Sequence, residues 1–489
     1  MTTPAHEPPA RPDRASARPV FVDLDGTLIR GDLLWEGIRL MVRERPFGLM
    51  LRAPFWLLGG KARFKSRMAA SVFPDVRSLP YRPAVLAHIT EARRTGATIT
   101  LASASPRRWV EAVAAHVGSF DRVIASSDEV NLSGAAKLAA IQRQVDAAPF
   151  EYLGNSAVDV PIWRAAAVAT SVDPDRRARK ALAGLSHHVD LPVESPRTAA
   201  AILRQLRPHQ WAKNLLLFAP LLLAHEITNP GKLQSVLVAF ASFCAVASAG
   251  YVLNDLIDVD ADRAHPTKCR RPIASGRLSI AAAFVLFAGL LVVAGTASVL
   301  WLSAATAGMV LLYLVLTLAY SFYFKERLLL DVLLLAGLYT HRVLTGGIAA
   351  EVAVSPWLLA FSTFFFLSLA LVKRYVEISG RAGDLDDEQI AGRAYRVGDS
   401  ALVLSMGLSC AYIAVLVLCL FVSSADVSRL YDKPDLLWLM CPVMFYWISR
   451  IWLLAHRGEL HDDPVMFATT DRASYVAGVL LALIVVAAT

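Results

Sequence analysis

Two patterns of apolar and polar positions divide the chain. Through residue 210, short apolar runs of strand length alternate with charged stretches. From about Trp211 to the C-terminus, apolar runs near bilayer length repeat. The first pattern predicts a doubly wound α/β fold, the second an all-α polytopic membrane bundle of about nine helices. Candidate spans lie near 211–227, 233–254, 280–301, 303–324, 328–350, 355–376, 400–423, 435–454 and 473–489. The predicted organisation is a disordered leader at 1–17, an α/β domain at 18–190 with an insertion near 33–80, a linker at 191–205 and a membrane domain at 206–489.

Composition agrees. The 489 residues are 55% hydrophobic, with a mean hydropathy of +0.47, high for a soluble protein of this size. The net charge of +8 does not indicate nucleic acid, because much of the excess base lies beside membrane segments. The five cysteines form no CxxC pair, which suits a reducing compartment without disulfides or zinc. The N-terminus, rich in Pro, Ala and Arg, has no apolar core of a secretory signal.

In the first half, "PVFVDLDGTLIRGD" ends an apolar run in Asp23 and Asp25. A buried parallel strand would place both just past its C-terminal edge, where such folds bind ligands. One carboxylate can attack as a nucleophile while the other handles protons. Further strand-like runs lead to Ser103 and to Gly154, Asn155 and Asp159, and "SGAAKLAAI" starts a helix with Lys137. This order of motifs resembles the haloacid dehalogenase-like phosphatases over roughly residues 18–190. The resemblance implies an aspartyl-phosphate intermediate and Mg²⁺, with Asp23 as nucleophile and Asp25 as general acid/base. It also implies Ser103 and Lys137 on the phosphoryl group, and Asp159 and Asn155 completing the metal site with Asp23 and Asp25. That family usually has Asp where Asn155 stands, so metal affinity falls or Asp159 carries more of it. The alternative is a catalytically dead scaffold.

The insertion is apolar and basic, with Trp35, Phe47, Phe55 and Trp56 among Arg39, Arg43, Arg45, Arg52, Lys61, Arg63, Lys65 and Arg67. Pro46 and Pro54 cut it into pieces too short to span a bilayer. It reads either as a helical cap on its own core or as a cap resting on anionic lipid.

In the second half, "YVLNDLIDVDADRAHPTKCRRPIASG" gathers Asp255, Asp258, Asp260 and Asp262, then His265, Lys268, Arg270 and Arg271. If the preceding helix continues, Asn254, Asp258 and Asp262 repeat at i, i+4 and i+8, with Asp255 beside them. Such carboxylates become tolerable when a divalent cation bridges them, and Mg²⁺ completes its shell with water and phosphate oxygens. The following bases suit a diphosphate. The stretch thus reads as a Mg²⁺–diphosphate site, and otherwise as a stop-transfer loop. Connections rich in base, including those with Arg263 to Arg277, Lys325 and Arg327, Lys373 to Arg396, and Arg457 to Arg472, alternate with connections poor in base. The positive-inside rule puts them, and the N-terminal half, in the cytoplasm, within an inner or plasma membrane.

The pattern N-D-x-x-D-x-x-x-D followed by H-P-x-K-x-R-P-I-A-S-G resembles the UbiA superfamily of intramembrane prenyltransferases over about 203–489. Further stretches, "LRPHQWAKNLLLFAPL", "YSFYFKERLLLDVLLLAGLYTHRVLTGG" and "LALVKRYVEI", look like its decaprenyl-phosphate phosphoribosyltransferase branch. Where aromatic prenyltransferases show a second D-x-x-x-D, this chain has Lys373, Arg374 and Glu377, then only Asp384-x-x-x-Glu388. A basic second site suits a phosphate-bearing substrate. Arg342, inside an apolar run beside His341, calls either for an anionic substrate or for an internal carboxylate partner.

The resemblance implies transfer of 5-phosphoribose from phosphoribosyl diphosphate to a polyprenyl phosphate. Asp255, Asp258 and Asp262 would hold Mg²⁺ and the leaving diphosphate. Lys213, Asn254, His265, Lys268, Arg271, Lys325, Arg342, Lys373 and Arg374 are candidate substrate contacts. The phosphatase half would then remove the 5-phosphate from the product. Two alternatives stand beside this reading. One is transfer from a polyprenyl diphosphate to an aromatic acceptor, and the other is a non-enzymatic lipid scaffold or transporter. Asp463, Asp471 and Arg472 have no assigned role.

Overall fold

The computed structural model describes residues 18–489 except 45–54, 57, 59, 128–129, 147, 194–197, 381–393, 425–426, 428–430 and 461–462. The leader, Arg45, Pro46, Phe47, Arg52, Pro54, Arg381, Arg393, Asp384 and Glu388 therefore lie outside the described residues. The molecule divides into two compact units. One runs to Gln205 and includes Val252–Val285; the other comprises Leu206–Tyr251 and Leu286–Thr489.

The first unit carries a six-stranded sheet in the order β3-β2-β1-β4-β5-β6. The strands are β1 Val20–Val22, β2 Ile99–Pro106, β3 Arg122–Ser126, β4 Glu151–Gly154, β5 Val168–Val172 and β6 His188–Leu191. All neighbours pair in parallel. This is the predicted doubly wound architecture. The chain leaves β1 toward β2 and β3, then returns to β4 on the other side of β1. The C-terminal ends of β1, β2 and β4 thereby meet at the switch point, where such sheets bind ligands. Strands β1 and β2 are buried along nearly their whole length, and so on both faces, as a helix-covered parallel sheet requires.

The insertion forms helices Leu33–Glu44 and Lys61–Ser71. Leu33, Leu40, Met41, Trp56, Phe64 and Met68 join the same apolar core as β1 and β2. The cap therefore packs on its own core, and Arg39, 1% exposed, is buried with it. The stretch expected to be a linker is helical from Thr198 to Leu206.

Seven helices among the described residues are long and apolar enough to cross a membrane: Pro230–Ile257, Ile280–Trp301, Ala304–Phe322, Leu330–Ala350, Pro356–Ser379, Val397–Val422 and Pro434–His456. The apolar helix Arg472–Ala488 has 17 residues, roughly 25 Å, slightly short of a span. The candidate near 211–227 differs from expectation. It is a 3₁₀ segment Pro208–Phe218 followed by a five-residue helix Ala219–Leu223. Pro208 and Pro220 open these two pieces, and Pro lacks the N–H that a continuous helix needs. Val292, Val293, Val299, Leu311 and Val315 are exposed, as lipid-facing side chains are in an integral membrane protein.

Candidate functional sites

The first site follows from the strand order. Asp23 and Asp25 follow β1, Ser103 lies in β2, and Asn155 and Asp159 follow β4, so one sheet edge collects them. Lys137, on helix Ala135–Val145, donates from Nζ to Asp23 Oδ1 at 2.6 Å and to the Tyr152 hydroxyl at 3.0 Å. Tyr152 in turn donates to Asp159 Oδ1 at 2.8 Å. Burial pushes the Asp23 carboxyl up to about 7; Lys137 opposes this, while Asp159 and Asp25 add to it. Burial also disfavours the Lys137 ammonium, but Asp23 and Asp159 outweigh it and hold its pKa above the ordinary lysine value.

Asp25 accepts from Ser103 Oγ at 3.2 Å, from Ser105 Oγ at 2.7 Å and from the Leu33 N–H at 2.8 Å. Ser105 was not anticipated, although its i+2 spacing from Ser103 on a strand puts both side chains on one face. Tyr152 was also missed, because a strand tyrosine reads as core. Lys65, from the cap, donates to the Ala104 carbonyl at 2.8 Å and to Asn131 Oδ1 at 3.3 Å. Burial raises Asp32 to about 7, with the Asp25 charge adding to it.

The donors at this edge are oxygens, which suits Mg²⁺. Asp159 is heavily engaged, however. Its Oδ2 accepts from Asn155 N, Ser156 N and Ser156 Oγ, at 3.2, 3.0 and 3.1 Å. It shapes the loop, and more of any cation's coordination would fall to Asp23, Asp25 and Asn155. Gly26 has φ +78°, and a Cβ there would lie 2.1 Å from Asn155 Nδ2. Asn155 thus lies directly against the DxDGT turn. Among the described residues, no three His, Cys, Asp or Glu side chains already converge as a metal-sized cage at either acidic motif.

The second site is the loop after helix Pro230–Ile257. The helix breaks at Asp258 and resumes as Val259–Ala264. Hydrogen bonds from Asp258 N to Asn254 O and from Asp262 N to Asp258 O, 2.9 and 2.8 Å, keep the expected i, i+4 course. Arg271 NH1 bridges Asp255 Oδ1 at 3.1 Å and Asp262 Oδ2 at 2.7 Å. Gln205, which lacked any sequence signal, donates to Asp255 Oδ2 at 2.8 Å. Burial raises the Asp262 pKa, with Arg271 opposing it. Asp255 and Asp262 are two buried carboxylates sharing one cation, a donor set that fits Mg²⁺ with diphosphate oxygens. Asn254 and Asp258 are half-buried beside them, while His265 and Lys268 are exposed on the following turn.

The third group lies within the other unit. Asp463 Oδ2 accepts from Lys213 Nζ at 2.9 Å and lies 3.5 Å from Lys373 Nζ. Burial works against the Asp463 carboxylate, but these two lysines outweigh it and hold its pKa below the usual range. Lys213 Nζ lies 5.9 Å from the Tyr339 ring centroid, and the Arg342 guanidinium lies 5.5 Å from the same ring. Arg342 donates to Asn214 Oδ1, the Leu338 carbonyl and the Tyr313 hydroxyl, all neutral acceptors. None is the carboxylate partner considered from sequence. A groove of about 330 Å³ runs from Lys213 along Leu216, Phe365, Phe366, Leu369 and Trp447. Arg374 is drawn inward instead. It pairs with Asp331 at 2.5 Å and with Glu377, under the Tyr395 ring. Lys325 lies half-buried in the turn Phe324–Glu326, which follows helix Ala304–Phe322.

The model of the UbiA prenyltransferase family matches residues 215–471. The chain belongs to the UbiA prenyltransferase family. Residues 20–164 match the haloacid dehalogenase-like hydrolases, so this UbiA chain carries a phosphatase-type domain and is an enzyme. Its relatives include uncharacterized protein y4nM of Sinorhizobium fredii, 37% identical over 468 residues, covering 95% of this chain and 90% of that one. Nodulation protein NoeC of Azorhizobium caulinodans is 38% identical over 281 residues, covering 57% and 89%. Decaprenyl-phosphate phosphoribosyltransferase of Mycolicibacterium smegmatis is 40% identical over 183 residues, 37% of this chain and 57% of that protein. The structure of a UbiA homolog from Archaeoglobus fulgidus bound to GPP and Mg²⁺ is 16% identical, with a TM-score of 0.45 over 58% of this chain and 97% of that one.

Proposed function

We propose that this UbiA enzyme transfers 5-phosphoribose from phosphoribosyl diphosphate to a polyprenyl phosphate, and that its N-terminal half then removes the 5-phosphate. The observation that carries the reading is the cation cluster of Lys213, Lys373 and Arg342. Two positive charges flank one carboxylate, Asp463, Arg342 faces the Tyr339 ring that Lys213 also approaches, and Lys213 lines an apolar groove. An isoprenoid chain fits the groove, and its phosphate answers the excess positive charge; a neutral phenol would not. The relatives named decaprenyl-phosphate phosphoribosyltransferase support the same choice.

In the transfer, a phosphate oxygen of the lipid attacks C1 of the ribose. The C1–O bond to the diphosphate breaks, and diphosphate leaves. Asp255, Asp258 and Asp262 would hold Mg²⁺, which neutralises that leaving group. Arg271 and Lys268 would add direct contacts to its oxygens. In the second step, an Asp23 oxygen attacks the 5-phosphate phosphorus and the ribose oxygen leaves with a proton from Asp25. Water, deprotonated by Asp25, then releases phosphate from Asp23. Lys137, Ser103 and the metal held at Asp23, Asp25 and Asn155 would bear the phosphoryl charge. Positive-inside topology puts the basic connections and the phosphatase half on the cytoplasmic side, where the water-soluble donor is available.

Membranes carrying the enzyme, labelled phosphoribosyl diphosphate, Mg²⁺ and a polyprenyl phosphate provide the test. Label enters the organic phase with the wild type and not with Asp258→Ala. With Asp23→Asn the labelled lipid keeps its 5-phosphate. Absence of lipid label from a folded, Mg²⁺-supplied enzyme rejects the reading in favour of prenyl transfer to an aromatic acceptor.

A further inference from the structure

Four aspartates stand in the acidic loop, and Asp260 is turned away from the other three. On helix Val259–Ala264 it lies two residues from both Asp258 and Asp262, about 200° around the axis. Its carboxylate takes a bidentate bond from Arg39, NH2 to Oδ1 at 2.7 Å and NH1 to Oδ2 at 3.1 Å. Arg43 NH1 adds a third bond at 3.1 Å. Arg39 Nε also donates to Glu36 Oε2 at 3.1 Å, and Glu36 Oε1 accepts from Arg263 NH2 at 2.6 Å. Arg263, three residues after Asp260 and on the same face, fixes the loop further by donating from Nε to the Ala274 carbonyl at 3.2 Å.

The result is a chain of alternating charge, Asp260–Arg39–Glu36–Arg263. The Arg39 and Glu36 side chains are 1% and 2% exposed. An apolar contact of the same volume would hold two elements together at least as well; a buried, alternating ion chain instead admits one register. Glu36, Arg39 and Arg43 share a face of helix Leu33–Glu44, and the N–H of Leu33, at its first turn, donates to Asp25. One helix therefore begins at the phosphatase acid/base and ends at the transferase loop.

We propose that helix Leu33–Glu44 is a strut of the transferase site: Arg39 and Glu36 are positioning residues that hold the acidic loop in register for the Mg²⁺–diphosphate of the donor. This rests on the transfer reading above for the identity of that donor. Glu36 and Arg39 touch Asp260 and Arg263, while Asp255 and Asp262 on the opposite side share Arg271. Releasing the first face lets the second drift, so donor binding suffers more than turnover, and the phosphatase edge of the sheet is left intact.

The test uses the full-length enzyme with Arg39→Met, Arg39→Lys and, as a second route to the same break, Asp260→Asn. Three quantities are read: hydrogen exchange of the amides over 258–276, the KM for phosphoribosyl diphosphate, and hydrolysis of p-nitrophenyl phosphate. Arg39→Met is expected to speed exchange and to raise KM about tenfold, with a smaller change in kcat. Hydrolysis of the small phosphomonoester stays within about twofold. Arg39→Lys, which keeps the charge but not the fork, falls between wild type and Arg39→Met. Asp260→Asn repeats the pattern if Arg39→Met does not fold. Unchanged exchange and KM in a folded variant overturn the proposal, as does faster exchange with unchanged KM. If the wild type transfers no ribosyl label, the donor reading fails separately. Exchange then decides alone: lost protection supports the strut and unchanged protection rejects it.

Discussion

Asp463 accepts a 2.9 Å hydrogen bond from Lys213, 250 residues earlier in the chain, and shares the same oxygen with Lys373. Sequence left Asp463 without a role, and the structure makes it the anchor of two lysines.

Asp463→Asn removes the negative charge that the two lysines share while keeping the side chain's shape. The two ammonium groups then repel and lose a common anchor. The expected outcome is a KM for polyprenyl phosphate raised by about tenfold, with KM for the soluble donor nearly unchanged. Lys213→Met should lower kcat/KM for the lipid further, by roughly a hundredfold. Steady-state transfer at varied lipid, with the donor saturating, measures both.

Tyr152 stands between Lys137 and Asp159, and its hydroxyl bonds both. Tyr152→Phe leaves the ring in the core and deletes that bridge. Phosphatase kcat should fall by about tenfold, because Lys137 loses an orienting partner but keeps Asp23. Lys137→Met should cost about a thousandfold, since it removes the positive charge beside Asp23, the proposed nucleophile. Release of inorganic phosphate from a small phosphomonoester is the readout. Transfer of label to lipid should be unaffected by Tyr152→Phe.

His88 Nε2 lies 3.0 Å from Glu151 Oε1, joining a surface helix to the start of β4. The hydrogen bond to Glu151 raises the His88 pKa above its ordinary 6.5, against the effect of burial. Burial disfavours the Glu151 carboxylate, but the bonds from His88 and Thr170 outweigh it and lower its pKa below 4.5. The His88 contribution is therefore complete below pH 6.5 and is lost as pH rises through its raised folded value. The Glu151 contribution is complete above pH 4.5 and is lost as pH falls through its lowered folded value. His88→Ala should thus lower the unfolding temperature of the phosphatase half more at about pH 5.5 than at about pH 8.5. Thermal unfolding of the full-length protein at the two pH values tests this.

Gly346 allows the Pro208–Phe218 segment to approach helix Leu330–Ala350. A Cβ at that position would sit 2.0 Å from the Leu217 carbonyl oxygen, a backbone atom that no rotamer can move. Gly346→Ala should destabilise the membrane unit by about 1–3 kcal/mol despite the better helix propensity of alanine. Retention of monodisperse protein after heating in detergent, compared with wild type, shows the loss.

Much of the architecture was legible in the one-dimensional pattern, for a physical reason. The strand-length runs before Asp23, Ser103 and Asn155, and the bilayer-length runs after Trp211, report burial directly, because burial selects apolar residues at the period of each element. Spacing likewise carried the i, i+4 course of Asn254, Asp258 and Asp262, since local backbone hydrogen bonds keep that course across the break at Asp258. The broken first span was less visible. Its composition is that of a membrane helix, and hydropathy does not distinguish a continuous helix from a 3₁₀ segment opened by Pro208 and followed by a short helix at Pro220.

What tertiary structure alone decided is the partnership of charges. Tyr152, Gln205 and Asp463 carry no local signal of their roles, because each acts on a residue brought to it by the fold. The same holds for cations of one residue type. Lys213 and Lys373 flank a single carboxylate, while Arg374, adjacent to Lys373 in sequence, is paired inward with Asp331. A carboxylate or an arginine is costly to bury alone, so its surroundings settle whether it is structural or available to substrate. The sequence by itself determined the two architectures and their motifs, through local periodicity. Which charges face each other was left to the packing that brings distant segments together.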